Sequence, residues 1–170
     1  TNNYYFHPAA LRCGLNNMIV VANAENRDPA TNIPYTRNSG SNYSQQYVDI
    51  AAPGTDILST LSMNHHVSYD NNPIYDGEGH ERNPQDYFPR YTKMSGTSMA
   101  APFVSGAAAL IFSQYPDATA EHVVNAIRIG ANHYYAKDYT KYGFLNIEGA
   151  FKYLRGEAVP SGVPVDDSIA

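Results

Sequence analysis

The sequence predicts an α/β fold built on a parallel sheet, and three stretches carry that expectation. Residues 17–24 (Asn-Met-Ile-Val-Val-Ala-Asn-Ala) are a short β-branched run between turn formers, the pattern of a strand buried on both faces of a parallel sheet. Residues 95–111 open on Ser, Gly, Thr and Ser and continue in small apolar side chains, the pattern of a helix packed on nearly all sides. Later, Val123, Val124 and Ile127, then Ile147, Ala150, Phe151 and Leu154, recur at helical spacing.

Taken in order, residues 1–8 are polar and aromatic without a period and read as a loop entering His7-Pro8-Ala9. After the first strand, residues 25–46 are rich in Asn, Pro, Ser and Gly and read as loop. Residues 47–52 form the next strand, closed by Pro53-Gly54, and residues 56–60 give a second short extended piece. Residues 61–92 carry His65, His66, Asp70, Asp76, Glu78, His80, Glu81 and Asp86 among Asn, Pro and Tyr. A bound metal is conceivable there, but the spacings match no zinc or EF-hand pattern, so a solvated loop is the better reading. Pro116 stops the small-residue helix, Asp117 or Thr119 caps the next, and Gly130 ends that helix at the C′ position. His122 falls on this second helix as a surface or cap residue. Asn146 caps a last helix, and residues 157–170, with two Pro and two Asp, read as a linker or frayed tail.

A chain of 170 residues is about one domain long and can bury a sizeable core. A net charge of −5 with 11 scattered Lys and Arg offers no basic patch, which argues against a nucleic-acid partner. The longest apolar run, residues 107–112, is far short of the roughly 20 residues of a membrane span. No signal peptide opens the sequence, which therefore reads as a processed or excised piece. Cys13 is the single cysteine; it forms no internal disulfide and has no adjacent base that would mark an activated thiolate. Fifteen Tyr and no Trp point to a polar, aromatic surface.

The chemistry concentrates at Gly96-Thr97-Ser98-Met99-Ala100-Ala101-Pro102. A serine at a helix start sits where unpaired N–H groups and the positive end of the helix dipole can stabilise an oxyanion. Pro102, which donates no N–H, suits regular helical bonding that begins at about that residue. Gly and small residues opening a helix also occur where two helices merely pack closely, so composition alone leaves both readings open.

The order of residues, however, resembles the serine motif of the subtilisin-like serine proteases, with Ser98 matching the family nucleophile and Phe103 standing where the family usually has a non-catalytic His. Further segments are similar to the same family: His7-Pro8-Ala9, Ser41-Asn42-Tyr43, Val48-Asp49-Ile50-Ala51-Ala52-Pro53-Gly54, and Tyr142-Gly143-Phe144-Leu145-Asn146, the last with one Gly replaced. The resemblance implies a subtilisin-like parallel-sheet three-layer fold, of which residues 1–156 would be the C-terminal part, with an insertion at about residues 61–92. It implies peptide-bond hydrolysis through an acyl-enzyme on Ser98, whose own N–H forms half of the oxyanion hole, with Pro8, Ala9 and Thr97 at the substrate pocket. The family's Asp-Thr/Ser-Gly and His-Gly-Thr strings do not occur in the sequence. The orienting Asp, the base and the oxyanion Asn are therefore expected from an N-terminal segment, carried as a second chain, without which this chain should be inactive. The resemblance further implies a polypeptide substrate, a propeptide or inhibitor as additional partner, and a secreted or cell-surface location. It calls for no cofactor in the chemistry and leaves room for structural calcium. The competing reading is a non-catalytic pseudoprotease or processed subunit that keeps the fold as a binding module.

Overall fold

A computed structural model describes residues 15–25, 35–60, 74–75, 81–82 and 91–159, the four residues of 74–75 and 81–82 as backbone only. The readings made for Pro8, Ala9 and Cys13, and for most of residues 61–92, lie outside the described residues. In chain order the elements are β1 (Val21–Ala24), β2 (Ile50–Pro53), β3 (Ile57–Thr60), β4 (Ile74–Tyr75), β5 (Glu81–Arg82), β6 (Tyr91–Met94), α1 (Thr97–Gln114), α2 (Ala120–Ile129), β7 (Gly143–Phe144) and α3 (Ile147–Leu154). They fall into two compact units, one of residues Thr1–Thr55 with Ser95–Ala170 and the other Asp56–Met94.

In the first unit β1, β2 and β7 form a parallel sheet in that order, with Val21 opposite Ile50, Ala24 opposite Pro53 and Ile50 opposite Gly143. Strand residues alternate between its faces, and both faces are covered, as the apolar run of residues 17–24 predicts. Ile50 and Ala52 pack on one side with Val104, Ala107 and Ile111 of α1 and Val123, Ala126 and Ile127 of α2. Ala22, Ala24 and Ala51 face the other way, toward Val20, Val48, Tyr139 and Phe144. Both strands are shorter than the sequence suggests. The β-branched start of the first run is irregular up to Val20, and the second strand begins at Ile50 because Val48 bonds back to the Ser44 carbonyl (3.1 Å). Beyond β1, Ala24 bridges Arg37 in antiparallel sense and Asn38 N–H donates to the Asn23 carbonyl (3.1 Å), so loop residues occupy part of that edge.

The helices correct the sequence reading in three places. α1 is not packed on all sides: Ala100, Val104, Ala107 and Ile111 form a single buried stripe, whereas Phe103, Leu110 and Phe112 are 42%, 53% and 40% exposed. It also starts a turn before Pro102, since Ala100 N–H already reaches the Gly96 carbonyl (3.3 Å); the proline simply leaves the Ser98 carbonyl without a main-chain donor. Thr119 is the N-cap of α2, its Oγ1 accepting from His122 N–H (3.2 Å), while Gly130 closes that helix with φ −72°, not in the left-handed form. A glycine stands at residue 130 because a Cβ there would meet the backbone of Gly149 and Ala150. Asn146 caps α3 as predicted, its Oδ1 accepting from Gly149 N–H (3.0 Å), although Ile147 turns toward solvent.

In the second unit β3 pairs antiparallel with β6, Ile57 opposite Met94 and Thr60 opposite Tyr91, and β4 pairs antiparallel with β5. The stretch read as a solvated loop thus contains one short strand pair, β4 with β5, and the first two residues of β6. Glu81 lies on β5.

Candidate active site

The turn into α1 is fixed from its main chain. Gly96 is the N-cap, with φ 156° and ψ 168°, a conformation that L side chains rarely adopt, so the glycine is required by its backbone rather than by lack of room. Its N–H donates to the Gly54 carbonyl (2.7 Å), tying the turn to the loop that leaves β2. Its carbonyl accepts from Met99 N–H (3.0 Å) and Ala100 N–H (3.3 Å), so the Thr97 and Ser98 N–H groups lie ahead of the first helical bonds. Gly54 is itself confined: a Cβ on it would lie 2.5 Å from Asn23 Oδ1 and 2.6 Å from the Gly96 carbonyl oxygen.

Ser98 is the second residue of α1 and is exposed, while Thr97 before it is partly buried. The first turn holds no acidic residue, so the positive end of the helix dipole is not met by a carboxylate of that turn. A serine hydroxyl in this place can reach solvent, and a developing negative charge beside it faces N–H groups that lie ahead of the first helical bonds; that is what nucleophilic attack on a carbonyl needs on the serine's side. Among the described residues no hydrogen bond joins a histidine or a carboxylate to Ser98. Of the described histidines, His122 is exposed on α2, as expected for a surface position, and His133 keeps a buried Nδ1 without a hydrogen-bond partner.

Of the residues singled out from sequence, the structure brings Thr97 and Ser98 together at the helix start. Pro8 and Ala9 lie outside the described residues, as do His65, His66, Asp70, Asp76, Glu78, His80 and Asp86. Gly54, read as scaffold, proves to be the carbonyl partner of the turn into α1, and Asn23, read as one more residue of a strand, packs against it. The signal for Asn23 was available: a polar side chain inside an apolar run must find partners once buried.

The described residues include no group of three or more His, Cys, Asp and Glu able to hold a metal ion. Loop carbonyls converge at Asn38, Ser39 and Ser41, but Arg37 Nη1 donates to all three (3.1, 3.2 and 2.9 Å), and its guanidinium also stacks over Tyr43. A cation of the chain's own already satisfies these oxygens, so they do not fit a calcium ion.

Comparison with known proteins accounts for the sheet and the helix start together. The model of the subtilase family matches residues 2–150, and the chain belongs to that family. Subtilisin-like protease 1 of Plasmodium berghei is 34% identical over 122 residues, which are 72% of this chain and 16% of that protein. Subtilisin DY of Bacillus licheniformis is 33% identical over 108 residues, or 61% of this chain and 28% of its own length. The chain thus spans a minor part of these relatives. Among solved structures, fervidolysin from Fervidobacterium pennivorans, described as a keratinolytic enzyme related to subtilisin, superposes with a TM-score of 0.57 at 24% identity over 94% of this chain and 21% of that one, a likeness of fold.

Proposed function

We propose that this chain carries the nucleophile of a serine endopeptidase. Ser98 Oγ attacks the scissile carbonyl, its proton passing to a histidine base; the Ser98 N–H, at the positive end of α1, stabilises the tetrahedral oxyanion. The intermediate collapses as the scissile C–N bond breaks and the histidine gives its proton to the departing amine, and water, deprotonated by the same histidine, then hydrolyses the acyl-enzyme on Ser98 to free the second product. The histidine, its orienting aspartate and the second oxyanion donor come from an N-terminal segment of the same protease, because a serine hydroxyl without a base is a poor nucleophile at neutral pH. Thr97, with Pro8 and Ala9, borders the pocket for the substrate side chain. The substrates are polypeptides, and the setting is secreted or cell-surface, in keeping with relatives such as the extracellular serine protease of Serratia marcescens.

The observation that carries this reading is the exposed Ser98 at the start of α1, behind a glycine in a conformation other residues avoid and with no carboxylate in the first turn. The test is labelling with a fluorophosphonate. The protease assembled with its N-terminal segment should be modified at Ser98, the isolated chain should not, and Ser98→Ala should abolish both labelling and peptide hydrolysis, the latter by several orders of magnitude in kcat. A preparation that binds peptides but takes no label at Ser98 would establish the non-catalytic binding module instead.

A further inference from the structure

The side chain of Asn23 faces the turn that precedes Ser98, and catalysis of the kind outlined above has not so far required it. Asn23 is 1% exposed in a strand whose neighbours Ala22 and Ala24 are fully buried. A carboxamide in such a place is unfavourable unless bonded, and an aliphatic side chain of the same size would fill the space at less desolvation cost. Its main chain is held independently: the N–H donates to Ser41 Oγ (2.9 Å) and the carbonyl accepts from Asn38 N–H (3.1 Å). The carboxamide is therefore free to serve another purpose. Its Oδ1 accepts from Thr55 Oγ1 (3.2 Å), and Thr55 in turn is reached by Asn38 Nδ2 (3.3 Å), which also donates to Glu25 Oε1 (3.1 Å).

This network closes on Gly54. The Asn23 carboxamide lies so close to the Gly54 Cα that a Cβ there would be 2.5 Å from Oδ1 and 2.9 Å from Cγ. Gly54 N–H donates to the Ala24 carbonyl (3.1 Å), and the Gly54 carbonyl accepts from Gly96 N–H (2.7 Å). A single residue, Gly54, thus links the sheet to the nucleophile turn through its two flanking peptides, with Asn23 pressed on one side of its Cα and Thr55 next in the chain. We propose that Asn23, with Thr55, is a positioning residue for Ser98: the carboxamide fixes Gly54, which through Gly96 sets where the serine stands. The proposal rests on the reading of Ser98 as nucleophile.

In the intact protease that contains this chain, Asn23→Leu and Thr55→Val keep volume and delete the hydrogen bond, and Thr55→Ser retains it. The expected result is a fall of about tenfold or more in kcat and in the fluorophosphonate labelling rate for Asn23→Leu and Thr55→Val, since small displacements of a reacting group carry penalties of this size. KM should stay within about twofold, and Thr55→Ser should recover most of the labelling rate. Hydrogen exchange at the Gly96 amide should speed up in the first two variants only. Wild-type labelling rates in Asn23→Leu and Thr55→Val, accompanied by a lowered melting temperature alone, would reduce Asn23 to a satisfied core residue and overturn the proposal. Should Asn23→Leu fail to fold, the Thr55→Val and Thr55→Ser pair, at a side chain only partly buried, decides the matter. If wild type itself took no label, the reading of Ser98 would fall, and unchanged Gly96 exchange would separately show that the clamp is absent.

Discussion

Asp49 is fully buried and its partner Arg128 nearly so, and together they tie the start of β2 to α2. Asp49 Oδ2 accepts from Val20 N–H (2.8 Å), Arg128 Nη2 donates to the Met18 carbonyl (2.8 Å), and Arg128 Nε stands 3.1 Å from Asp49 Oδ1 as an ionic contact rather than an aligned hydrogen bond. The Arg128 guanidinium also lies 5.8 Å from the Tyr142 ring centre. Removing one member of a buried pair leaves an uncompensated charge, at about 3–5 kcal/mol. Arg128→Leu should therefore lower unfolding stability by about that much, and Arg128→Leu with Asp49→Asn should recover part of the loss, as read from denaturant midpoints. A single variant within about 0.5 kcal/mol of wild type would mean that water or another group solvates Asp49. At this scale the sequence placed Thr97 and Ser98 at a helix start, and α1 does begin there, whereas the role given to Ser98 came from the resemblance in the order of residues around it. Asn23 showed that it needed a partner but not which one, and Gly54, Asp49 and Arg128 gave no sign of theirs. Their roles depend on contacts such as Asn23 with Gly54, 31 positions apart, and Asp49 with Arg128, 79 apart, which no local pattern encodes.

α2 and α3 cross at Gly130 and Gly149. A Cβ on Gly149 would run into the Gly130 carbonyl, and one on Gly130 into the Ala150 main chain; backbone atoms have no rotamer through which to yield. Gly149→Ala gains about 1 kcal/mol of helix propensity and loses about 3 kcal/mol to overpacking, so the net expectation is a destabilisation of roughly 2 kcal/mol. A chemical denaturation curve shifted to a higher midpoint would show that the helices can part without loss. α2 and α3 were readable from spacing and from their caps, Thr119 and Asn146, since both the period and the capping chemistry are local. What spacing could not reveal was the reason for Gly130, which comes from a helix 17 residues further on, or the true length of the strands, which hydrogen bonds to distant chain decide.

At the scale of the whole molecule the sequence read α1 as covered on nearly all sides, because its apolar residues are spread around the helix without an amphipathic pattern. The structure covers the stripe through Val104 and Ile111 and leaves Phe103 and Leu110, one on from the other by two turns, 42% and 53% exposed. Between them Gly106 has nothing within 4 Å of where a Cβ would stand, so among the described residues no contact requires a glycine there. Mid-helix glycine is disfavoured by about 1 kcal/mol relative to alanine, and an apolar face around it suits close approach by another element. On the proposed function that element belongs to the N-terminal segment. Leu110→Glu should then act in opposite directions on the two forms. Expressed alone, the variant chain should stay soluble to a higher concentration than wild type, because a charge interrupts the exposed apolar face. Mixed with the N-terminal segment, wild type should form a complex that labels at Ser98, and the variant should fail to assemble, since a carboxylate buried without a partner is strongly unfavourable. Size-exclusion chromatography of the mixtures reads the outcome directly. Assembly of Leu110→Glu as complete as that of wild type would show that this face of α1 stays in water and that the two segments meet elsewhere.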